Sequence, residues 1–390
     1  MNEHHYIVIM AGGIGSRFWP MSRQDYPKQF LDILNTGQTL IQGTFERFAH
    51  FVPVENIYVV TSNEYMDIVK EQLPGLPAEN VLGEPSRKNT APCIAYISFK
   101  LQQKDPKASL IVAPADHIIK DQKAFTKVCL EALSFVNKHN AFITLGITPL
   151  QPNTGYGYIQ REQHSVSDNV YKVKTFTEKP NLELAKTFLA SGDFLWNAGI
   201  FIWQVKNVIK AFEKYLPEMY DVFVAEKDAF NTPEERKALE HIYPLCTNIS
   251  IDFGIMEKAE NVYVIPSSFG WSDLGTWNSA YENLEKDSRE NAIAGENVMI
   301  VDAEKCIVHA SDKKLLVLQG LKDFIIVDTE DVLLICKKDK EQDIKDYVAE
   351  VKKSMGDDYL ECECGNVEMW ECENSQQAVI SNGVRRRRTK

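Results

Sequence analysis

The spacing of apolar and polar positions changes along this chain of 390 residues. Up to about residue 150, short apolar runs alternate with stretches in which apolar residues recur every three to four positions. The runs predict buried strands and the periodic stretches predict amphipathic helices. The strands are Tyr6–Met10, Ile57–Thr61, Ser109–Ala113 and Ala141–Gly146, and the helices lie near Thr39–Phe48, Asn63–Gln72, Thr90–Gln103 and Lys123–Asn137. This alternation predicts an α/β fold with a mixed, mostly parallel sheet and helices on both faces.

The pattern becomes less regular between about residue 150 and residue 285. A strand is predicted over Val170–Phe176, and helices are predicted over Leu182–Ala190, Val205–Tyr215 and Thr232–Glu240. A capped helix is expected to begin at Ser250, before a strand over Asn261–Pro266. We expect residues 1–285 to form one α/β domain.

A third pattern begins near residue 286. Short β-rich runs follow one another at Val298–Val301, Cys306–His309, Leu315–Leu318, Phe324–Val327 and Val332–Cys336. They are separated by polar turns, which predicts a small all-β module, similar to a few coils of a β-helix, over residues 286–356. An amphipathic helix over Lys340–Ser354 closes the module, whose expected role is packing or dimer formation.

The last segment, residues 357–390, has a different composition. Cys362 and Cys364 lie among glutamates, and four arginines stand at residues 385–388. A Cys-x-Cys pair can bind a metal, but no matched second pair accompanies it. We therefore expect a disordered, solvated tail.

Charge and composition exclude several classes of protein. The net charge of −12 argues against general nucleic-acid binding, which needs a basic face. No apolar run reaches the ~18–20 residues that span a membrane, and no secretory signal precedes the first strand. The eight cysteines have no small-domain spacing, which indicates reduced thiols and a cytoplasmic protein.

A glycine-rich turn follows the first predicted strand, with glycines at Gly12, Gly13 and Gly15. Glycines at a strand end allow a tight turn whose amides can approach a bulky anion. Arg17 and Lys28 add two cations, a combination that suits a triphosphate. The turn is not a P-loop, and it lacks the third glycine of a dinucleotide fingerprint, which would stand at Phe18.

Two acids follow predicted strands. Asp116 ends the run Leu110–Ala115, and Asp273 follows Trp271. Each has an ordinary alternative, because Asp116 could cap a turn and Asp273 could be a helix N-terminal charge. Two carboxylates from distant segments fit a Mg²⁺ site, since Mg²⁺ commonly binds one or two carboxylates together with phosphates.

Two further stretches carry polar groups that could recognise a base and a sugar. In the loop Glu84–Pro92, Thr90 is expected to cap a helix, and Glu84 could accept hydrogen bonds from a guanine; the loop is otherwise a capped helix start. Glu178 and Asn197 offer groups that bind sugar hydroxyls, and Lys179 offers a cation for a sugar phosphate. Their alternatives are a solvated charge pair and a turn residue.

The string Gly15-Ser16-Arg17-Phe18-Trp19-Pro20, followed by Pro27-Lys28-Gln29-Phe30, resembles the signature of the sugar-nucleotide pyrophosphorylases. It is most similar to the mannose-1-phosphate guanylyltransferase branch of the sugar-phosphate nucleotidyltransferases. Other stretches resemble the same branch: Glu84–Pro92, Pro114–His117, Gly155–Tyr158, Phe176–Pro180, Trp196–Phe201 and Trp271–Gly275. The resemblance covers roughly residues 5–350 and does not extend to the tail.

The resemblance implies a Rossmann-like nucleotidyltransferase domain that makes GDP-mannose and diphosphate from GTP and α-D-mannose 1-phosphate with Mg²⁺. The implied catalytic residues are Arg17, Lys28, Asp116 and Lys179, and Asp116 and Asp273 are the implied metal ligands. The implied nucleotide neighbours are Gly12, Gly13, Gly15, Ser16, Arg17, Glu84, Arg87, Asn89, Thr90 and Asp116. The implied sugar-phosphate neighbours are Gly157, Glu178, Lys179, Asn197 and Asp273, with Asp252 and Glu257 as further candidates.

Three alternatives to this function are weighed on the same residues. Another sugar-1-phosphate nucleotidyltransferase would use a different base or sugar. An inactive subunit that senses GDP-mannose should have lost Arg17, Lys28 or a metal acid, and this chain keeps them. A dinucleotide-dependent oxidoreductase lacks support because its third glycine is missing. We expect a cytoplasmic homodimer with no nucleic-acid or membrane partner, and we expect His117 to be a structural neighbour of Asp116.

Overall fold

The computed structural model describes residues 2–13, 15–311 and 313–361. The strands are β1 (His5–Met10), β2 (Ile57–Ser62), β3 (Val81–Glu84), β4 (Ser109–Pro114), β5 (Ile118–Ile119), β6 (Phe142–Ile147), β7 (Tyr158–Ser167), β8 (Val170–Thr177), β9 (Phe194–Gln204), β10 (Val262–Ser267), β11 (Trp271–Ser272), β12 (Ala292–Ala294), β13 (Val298–Val301), β14 (Ile307–His309), β15 (Leu316–Gln319), β16 (Phe324–Asp328) and β17 (Leu333–Lys337).

The α-helices are α1 (Leu40–Ala49), α2 (Met66–Gln72), α3 (Thr90–Lys104), α4 (Gln122–Lys138), α5 (Leu182–Ser191), α6 (Val205–Tyr215), α7 (Pro217–Ala225), α8 (Glu235–Leu245), α9 (Trp277–Asn283) and α10 (Ile344–Met355). Short 3₁₀ helices lie at Ser16–Phe18, Lys28–Phe30, Val54–Asn56, Asn63–Tyr65, Ala78–Asn80, Lys227–Ala229 and Lys338–Asp343, and a π-helical turn lies at Asp252–Met256.

A mixed sheet forms the centre of the larger part of the molecule, with the strand order β3-β2-β1-β4-β9-β6-β10-β8-β7. Strands β1 to β4 pair in parallel, as do β6 and β10, whereas β9 lies antiparallel between β4 and β6. Strand β8 also runs antiparallel to β10. The mixed, mostly parallel sheet predicted from the sequence is therefore confirmed.

Both faces of this sheet are buried, as the apolar runs predict. Along β1, Tyr6 and Val8 belong to the core cluster on one face, while Ile7 and Ile9 belong to the cluster on the other. Side chains alternate between the two faces of a strand, so an uninterrupted apolar run packs against helices on both sides. The carboxyl ends of the parallel strands β1 to β4 lie at one edge of the sheet, and the loops that follow these strands carry the polar residues of the candidate site.

Several local predictions are wrong. The cap of α3 is Asn89, which has a φ of 69° and accepts a hydrogen bond from the amide of Thr90 at 2.9 Å. Asn takes a positive φ more readily than Thr, whose β-branch disfavours it. Helix α8 begins at Glu235 rather than Thr232, and the helix expected at Ser250 is only the π-helical turn Asp252–Met256.

The smaller part of the molecule is the β-rich module that the sequence predicts. Strands β12, β14 and β16 pair in parallel, β13 and β15 form a second parallel pair, and β17 closes the first sheet as an antiparallel edge. Stacked parallel strands separated by short turns are typical of a β-helix. We call residues 15–30, which carry the signature motif, the signature loop. The core of the β-rich module is continuous with this loop, because Phe18, Trp277 and Ile325 belong to one apolar cluster.

The start of the predicted tail is packed against the signature loop. Leu360 is 2% exposed, its carbonyl accepts a hydrogen bond from the amide of Gln24, and the carbonyl of Tyr359 accepts one from the Trp19 indole. The disorder predicted for residues 357–390 is therefore wrong for residues 357–361. Residues 362–390, with the Cys-x-Cys pair and the arginine run, lie outside the described residues. No described helix is both long and apolar enough to cross a membrane.

Candidate active site

The candidate site lies at the carboxyl ends of β1, β3 and β4, which are near neighbours in the sheet. Gly12 and Gly13 follow β1, Glu84 ends β3 and Asp116 follows β4. In open α/β sheets, ligands bind at the carboxyl ends of the strands, because the loops there converge. The sheet therefore brings together residues that are more than 100 positions apart in the chain.

Gly15 and Lys28 pack directly against each other in the signature loop. Gly15 has a φ of 64°, in the left-handed region, and a Cβ at this position would overlap with the Cβ of Lys28. Its carbonyl accepts a hydrogen bond from the Ser22 hydroxyl at 2.7 Å. Glycine is required here both by its φ and by the close approach of the lysine. The turn thus holds the stem of Lys28 against the start of the loop.

Lys28 links the two acids that the sequence singles out. Its side chain is 4% exposed, and its ammonium donates to Asp116 Oδ2 at 2.8 Å and to the backbone carbonyl of Asp273 at 2.9 Å. An ammonium has three donors, so one remains for a further acceptor. Lys28 therefore stands between the two acidic segments.

A short antiparallel ribbon places Asp273 beside Asp116. Strand β11 pairs with β5 so that Ser272 lies opposite Ile118. Continuing this register brings Asp273 opposite His117, next to Asp116. The carboxylate Oδ1 of Asp273 accepts hydrogen bonds from the Tyr156 hydroxyl at 2.7 Å and from the Gly275 amide at 3.1 Å.

Asp273 is not a helix N-terminal charge, the alternative that the sequence left open. Helix α9 begins at Trp277 behind a Thr276 cap, and its first turn contains no acid. Asp116 is likewise occupied by an ion pair with Lys28. Both acids therefore belong to the shared cluster rather than to independent caps.

The protonation states of the acidic centre follow from its charges. Burial raises the pKa of Asp116, but the nearby charge of Lys28 and the hydrogen bond that it donates outweigh this and lower the pKa below its usual value. Burial lowers the pKa of His117, whose Nδ1 accepts a hydrogen bond from the Trp271 indole at 3.2 Å. The centre at neutral pH thus combines an ionised carboxylate with a neutral imidazole. His117 lies beside Asp116, and its structural role stays a prediction.

The donor set of this centre suits a hard divalent cation. Asp116 and Asp273 supply two carboxylates from separate loops, and Mg²⁺ is commonly held by one or two carboxylates with phosphate and water. Within residues 2–13, 15–311 and 313–361, no group of three or more His, Cys, Asp or Glu side chains forms a complete metal cage. An all-protein cage is not needed for a cation that arrives with a phosphate ligand.

Glu84 forms the floor at the β3 end of the site. It is 7% exposed, and its Oε1 accepts a hydrogen bond from the Tyr243 hydroxyl at 2.8 Å. Its Oε2 lies 3.9 Å from where a Cβ on Gly12 would stand. Burial raises the pKa of Glu84 to about 7, and the bond from Tyr243 only partly opposes this. Glu84 can therefore be an acceptor or, when protonated, a donor.

The other base-loop residues are held by neighbouring elements. Arg87 donates to the Tyr65 hydroxyl and to Glu64, and its guanidinium lies 5.2 Å from the centre of the Tyr65 ring. The Thr90 hydroxyl accepts a hydrogen bond from the Ile251 amide at 2.9 Å. The loop is thereby fixed on both sides, with Asn89 exposed at its tip.

A second group of residues surrounds Asn197, near the start of β9. The Gly157 carbonyl accepts a hydrogen bond from the backbone amide of Asn197 at 2.8 Å. A Cβ on Gly157 would overlap with Glu178 Oε2. The Asn197 side-chain carbonyl accepts from the Thr144 hydroxyl at 2.8 Å, and its amide group donates to Asp252 Oδ1 at 2.9 Å. Asn197 is thus fixed in orientation, with one N–H left for another acceptor.

Three carboxyl side chains lie close together near Asn197: Glu178, Asp252 and Glu257. Burial and the nearby Glu178 carboxylate raise the pKa of Asp252 to about 7. Glu257 accepts a hydrogen bond from the Glu178 backbone amide at 3.2 Å. Asp252 and Glu257, named from the sequence as further candidates, therefore lie close to Glu178.

Two further cations come from separate segments, Arg17 from the 3₁₀ helix Ser16–Phe18 and Lys179 from the turn after β8. The Arg17 Nε atom is buried and has no hydrogen-bond partner among the described residues. Lys179 has a φ of 45° and an ammonium 2.9 Å from Glu178 Oε1, and it is 63% exposed. Lys179 is therefore free to exchange its carboxylate partner for another anion, whereas Lys28 is enclosed.

Sequence reasoning did not assign a role to two tyrosines of the site. Tyr156 holds Asp273, and its ring contacts Trp196 and Trp271 edge-on. Tyr243, from α8, reaches Glu84 across 159 positions of sequence. For Tyr156, the only indication in the sequence is the aromatic turn Gly155–Tyr158. For Tyr243, the apolar periodicity of α8 indicates a core residue and no functional role.

Residues 6–290 match the family model described as nucleotidyl transferase. The chain belongs to the nucleotidyl transferase family. Residues 295–351 match the model described as the MannoseP isomerase/GMP-like beta-helix domain. As a nucleotidyltransferase, the protein has its glycine-rich turn, its cations and its two acids within the matched region.

Relatives of this nucleotidyltransferase cover most of its length. It is 37% identical to mannose-1-phosphate guanylyltransferase of Salmonella montevideo over 353 residues, which are 88% of this chain and 73% of the relative. It is 36% identical to the alginate biosynthesis protein AlgA of Pseudomonas putida over 346 residues, 87% of this chain and 70% of the relative. A crystal structure of mannose-1-phosphate geranyltransferase from Thermus thermophilus superposes with a TM-score of 0.81 at 29% identity, covering 90% of this chain and 99% of that one.

Proposed function

We propose that this nucleotidyltransferase makes GDP-mannose and diphosphate from GTP and α-D-mannose 1-phosphate. The observation that carries the proposal is the position of Lys28, whose ammonium joins Asp116 and the Asp273 backbone behind the glycine turn. The base would bind near Glu84 and the sugar near Glu178. The choice of guanine and mannose is supported by the name of the Salmonella relative.

Asp116 and Asp273 would hold Mg²⁺ between them. When bound, the ion neutralises charge on the phosphates and orients them. Lys28 already pairs with Asp116, so the centre is neutralised in part before the substrates arrive. The third donor of its ammonium would then bind an oxygen of the α-phosphate.

The glycine turn and Arg17 would hold the triphosphate. The amides of Gly12, Gly13, Gly15 and Ser16 offer donors to an anion. The buried Nε of Arg17, which has no partner among the residues that the structure describes, is a donor that a phosphate oxygen would satisfy. Arg17 would also stabilise diphosphate as it leaves.

The base and the sugar would be selected at opposite ends. Glu84 would accept hydrogen bonds from guanine N1–H and N2–H, with Asn89 and Thr90 at the loop beside it. Glu178 and Asn197 would bind the mannose hydroxyls, with Gly157 leaving room for them. Lys179 would release Glu178 and bind the phosphate of the sugar.

The reaction needs positioning and charge neutralisation more than proton transfer. A non-bridging oxygen of mannose 1-phosphate attacks the α-phosphorus, and the bond from that phosphorus to the β-phosphate bridging oxygen breaks in line. Diphosphate carries away the electron pair, so no general base is required. Two polyanions must meet, and fixed cations lower that barrier. The neutral His117 fits a structural role here.

Diphosphate release with each nucleoside triphosphate, crossed with mannose, glucose and fucose 1-phosphates, tests the proposal. We expect turnover with GTP and mannose 1-phosphate, abolished by EDTA. Turnover with another pair would retain the reaction class and overturn the base or sugar assignment. Tight GDP-mannose binding without turnover of any pair would make the protein a sensor.

We further propose that the protein acts in the cytoplasm as a homodimer. The described cysteines, Cys93, Cys129, Cys246, Cys306 and Cys336, are buried free thiols, which suits a reducing compartment. Light scattering at micromolar concentration should give about twice the chain mass of 44.4 kDa. The mass of a single chain would exclude the dimer.

A further inference from the structure

The C-terminal helix α10 begins at the edge of the proposed phosphate site. Its first residue, Ile344, is fully buried in the apolar cluster that contains Phe18 and Trp277. The helix packs against the 3₁₀ helix Ser16–Phe18, which carries Arg17. Lys345, the next residue, therefore has its backbone fixed beside the signature loop by a buried neighbour.

Lys345 lies within electrostatic reach of two other cations of the site. Slight burial, and then the charges of Arg17 and Lys179, lower the pKa of the largely exposed Lys345, while Asp346 opposes them. In the part of the chain that the structure describes, Lys345 forms no salt bridge. The three cations come from separate segments: the signature loop, the end of β8 and the C-terminal helix.

Among the described residues Lys179 has a carboxylate partner, Glu178, whereas Lys345 has none in salt-bridge contact, and neighbouring cations that lack counter-charge indicate an anion site. Like charges at short range repel each other, and a cleft lined by one sign of charge concentrates ligands of the other sign. A second observation points to the same ligand, because the Arg17 Nε is buried without a hydrogen-bond partner among the described residues. A phosphate group would satisfy that donor and neutralise the cluster.

We propose that Lys345 binds the terminal phosphates of the nucleotide together with Arg17, and holds the diphosphate before it leaves. This inference rests on the proposed function and adds a residue from the β-rich module's closing helix to the site. The packing of α10 against Ser16–Phe18 places the start of the helix beside Arg17, the cation proposed to hold the triphosphate. The sugar-phosphate side keeps Lys179 as its cation.

The chain offers a matched control on the same helix. Lys353 is exposed and stands eight positions further along α10, about 12 Å away along the axis. Lys353→Ala removes the same charge and the same side chain from the same helix. Any general effect of net charge or helix propensity should appear in both variants.

The test is calorimetric titration of sodium diphosphate into wild type, Lys345→Ala, Lys345→Gln, Lys345→Arg and Lys353→Ala, in MgCl₂. We expect the Ala and Gln variants of Lys345 to bind diphosphate about tenfold more weakly, because one charge-assisted hydrogen bond is lost. Lys345→Arg and Lys353→Ala should stay within about threefold of wild type. All variants should melt at the wild-type temperature, since the side chain is exposed.

Wild-type diphosphate affinity in both Lys345→Ala and Lys345→Gln would overturn the inference. An equal loss in Lys353→Ala would also overturn it, because the effect would then be general. Diphosphate contains neither base nor sugar, so the result does not depend on the proposed substrates. Wild-type protein that does not turn over GTP with mannose 1-phosphate would overturn the proposed function. The phosphate role of Lys345 would still stand if Lys345→Ala and Lys345→Gln bind diphosphate more weakly than wild type.

Discussion

The guanidinium of Arg23 and the carboxylate of Asp331 form a two-point ion pair, with nitrogen–oxygen distances of 2.5 and 2.8 Å. Arg23 is 6% exposed and belongs to the signature loop, whereas Asp331 lies in the turn between β16 and β17. The same guanidinium donates to the carbonyl of Glu361. The β-rich module thus clamps the loop that ends in Lys28.

Asp331→Asn should destabilise the protein, because it leaves a buried guanidinium without its counter-charge. We expect a loss of about 3 kcal/mol in the free energy of unfolding, measured by urea denaturation, since breaking a buried pair costs that much. The control is Asp302→Asn, which breaks the exposed pair with Arg289 and should cost less than about 1 kcal/mol. Equal losses in the two variants would show that the clamp contributes no more than a surface pair.

Gly15→Ala should be far more damaging than Gly13→Ala. Gly15 has a positive φ, and a Cβ there overlaps with Lys28, whereas nothing lies within 4 Å of a Cβ at Gly13. We expect Gly15→Ala to lower the free energy of unfolding by roughly 2–4 kcal/mol, and Gly13→Ala by less than about 1 kcal/mol. Thermal unfolding of the two variants without ligands checks this, and equal stability would contradict the packing of the turn.

Removal of one acid should change the response to magnesium. Asp116→Asn and Asp273→Asn should each lower turnover by roughly 100-fold or more, since a charge stabiliser is lost at the reacting phosphates. The magnesium concentration for half-maximal rate should rise. Tyr156→Phe, which removes only the hydroxyl on Asp273 Oδ1, should have a smaller effect in the same direction. Wild-type magnesium curves for both Asn variants would overturn the metal assignment.

Gly157→Ala should act on the sugar phosphate alone. Its Cβ would overlap with Glu178 Oε2 and approach Asn197, so the Glu178 carboxylate must move. We expect KM for mannose 1-phosphate to rise about tenfold or more while KM for GTP stays unchanged, because a displaced charged acceptor loses its hydrogen bond to the sugar. Gly155→Ala, two positions earlier, meets only the Asn153 side chain and serves as control. A parallel rise in both KM values would place Gly157 outside a sugar pocket.

Stability should fall as the pH rises through the range in which two buried acids ionise. The pKa of Glu84 is raised from 4.5 to about 7 and that of Asp252 from 3.8 to about 7. The folded state then binds more protons than the unfolded state between these values, so the free energy of unfolding decreases with pH there. Their stabilising contribution is complete below the unfolded pKa and is lost by about pH 8.

Glu84→Gln and Asp252→Asn test this pH dependence, because neither amide ionises. Between pH 5 and pH 8, each should lose roughly 1–3 kcal/mol less stability than wild type, as urea denaturation would measure. The exposed Glu79→Gln should follow the wild-type curve. Curves parallel to wild type in both variants would show that these acids ionise as ordinary carboxyls.

Much of the fold could be predicted from the local pattern of apolar residues. The strand Tyr6–Met10 is an uninterrupted apolar run, and the structure buries both of its faces in β1. The β-rich runs after residue 286 likewise appear as β13 to β17. The misplaced cap at Thr90 depended on a backbone angle at Asn89, which pattern alone does not reveal.

The sequence indicated the residues of the candidate site one by one, but it did not show that they lie together. Asp116 and Asp273 each had an ordinary alternative, and 157 positions of sequence separate them. The pairing of β5 with β11, and the ammonium of Lys28 between the two acids, joined them into one centre. Lys345 gave no signal in the sequence because a lysine on an amphipathic helix is usually a solvated charge.

By itself, the sequence determined the α/β class, the β-rich module and the resemblance to sugar-nucleotide pyrophosphorylases, since these depend on apolar periodicity and contiguous motifs. The tertiary structure alone decided which charges meet: Lys28 with Asp116, and Arg23 with Asp331. Periodicity reports which face of an element is buried. Electrostatic contacts depend on how distant elements pack, because charges interact through space and not along the chain.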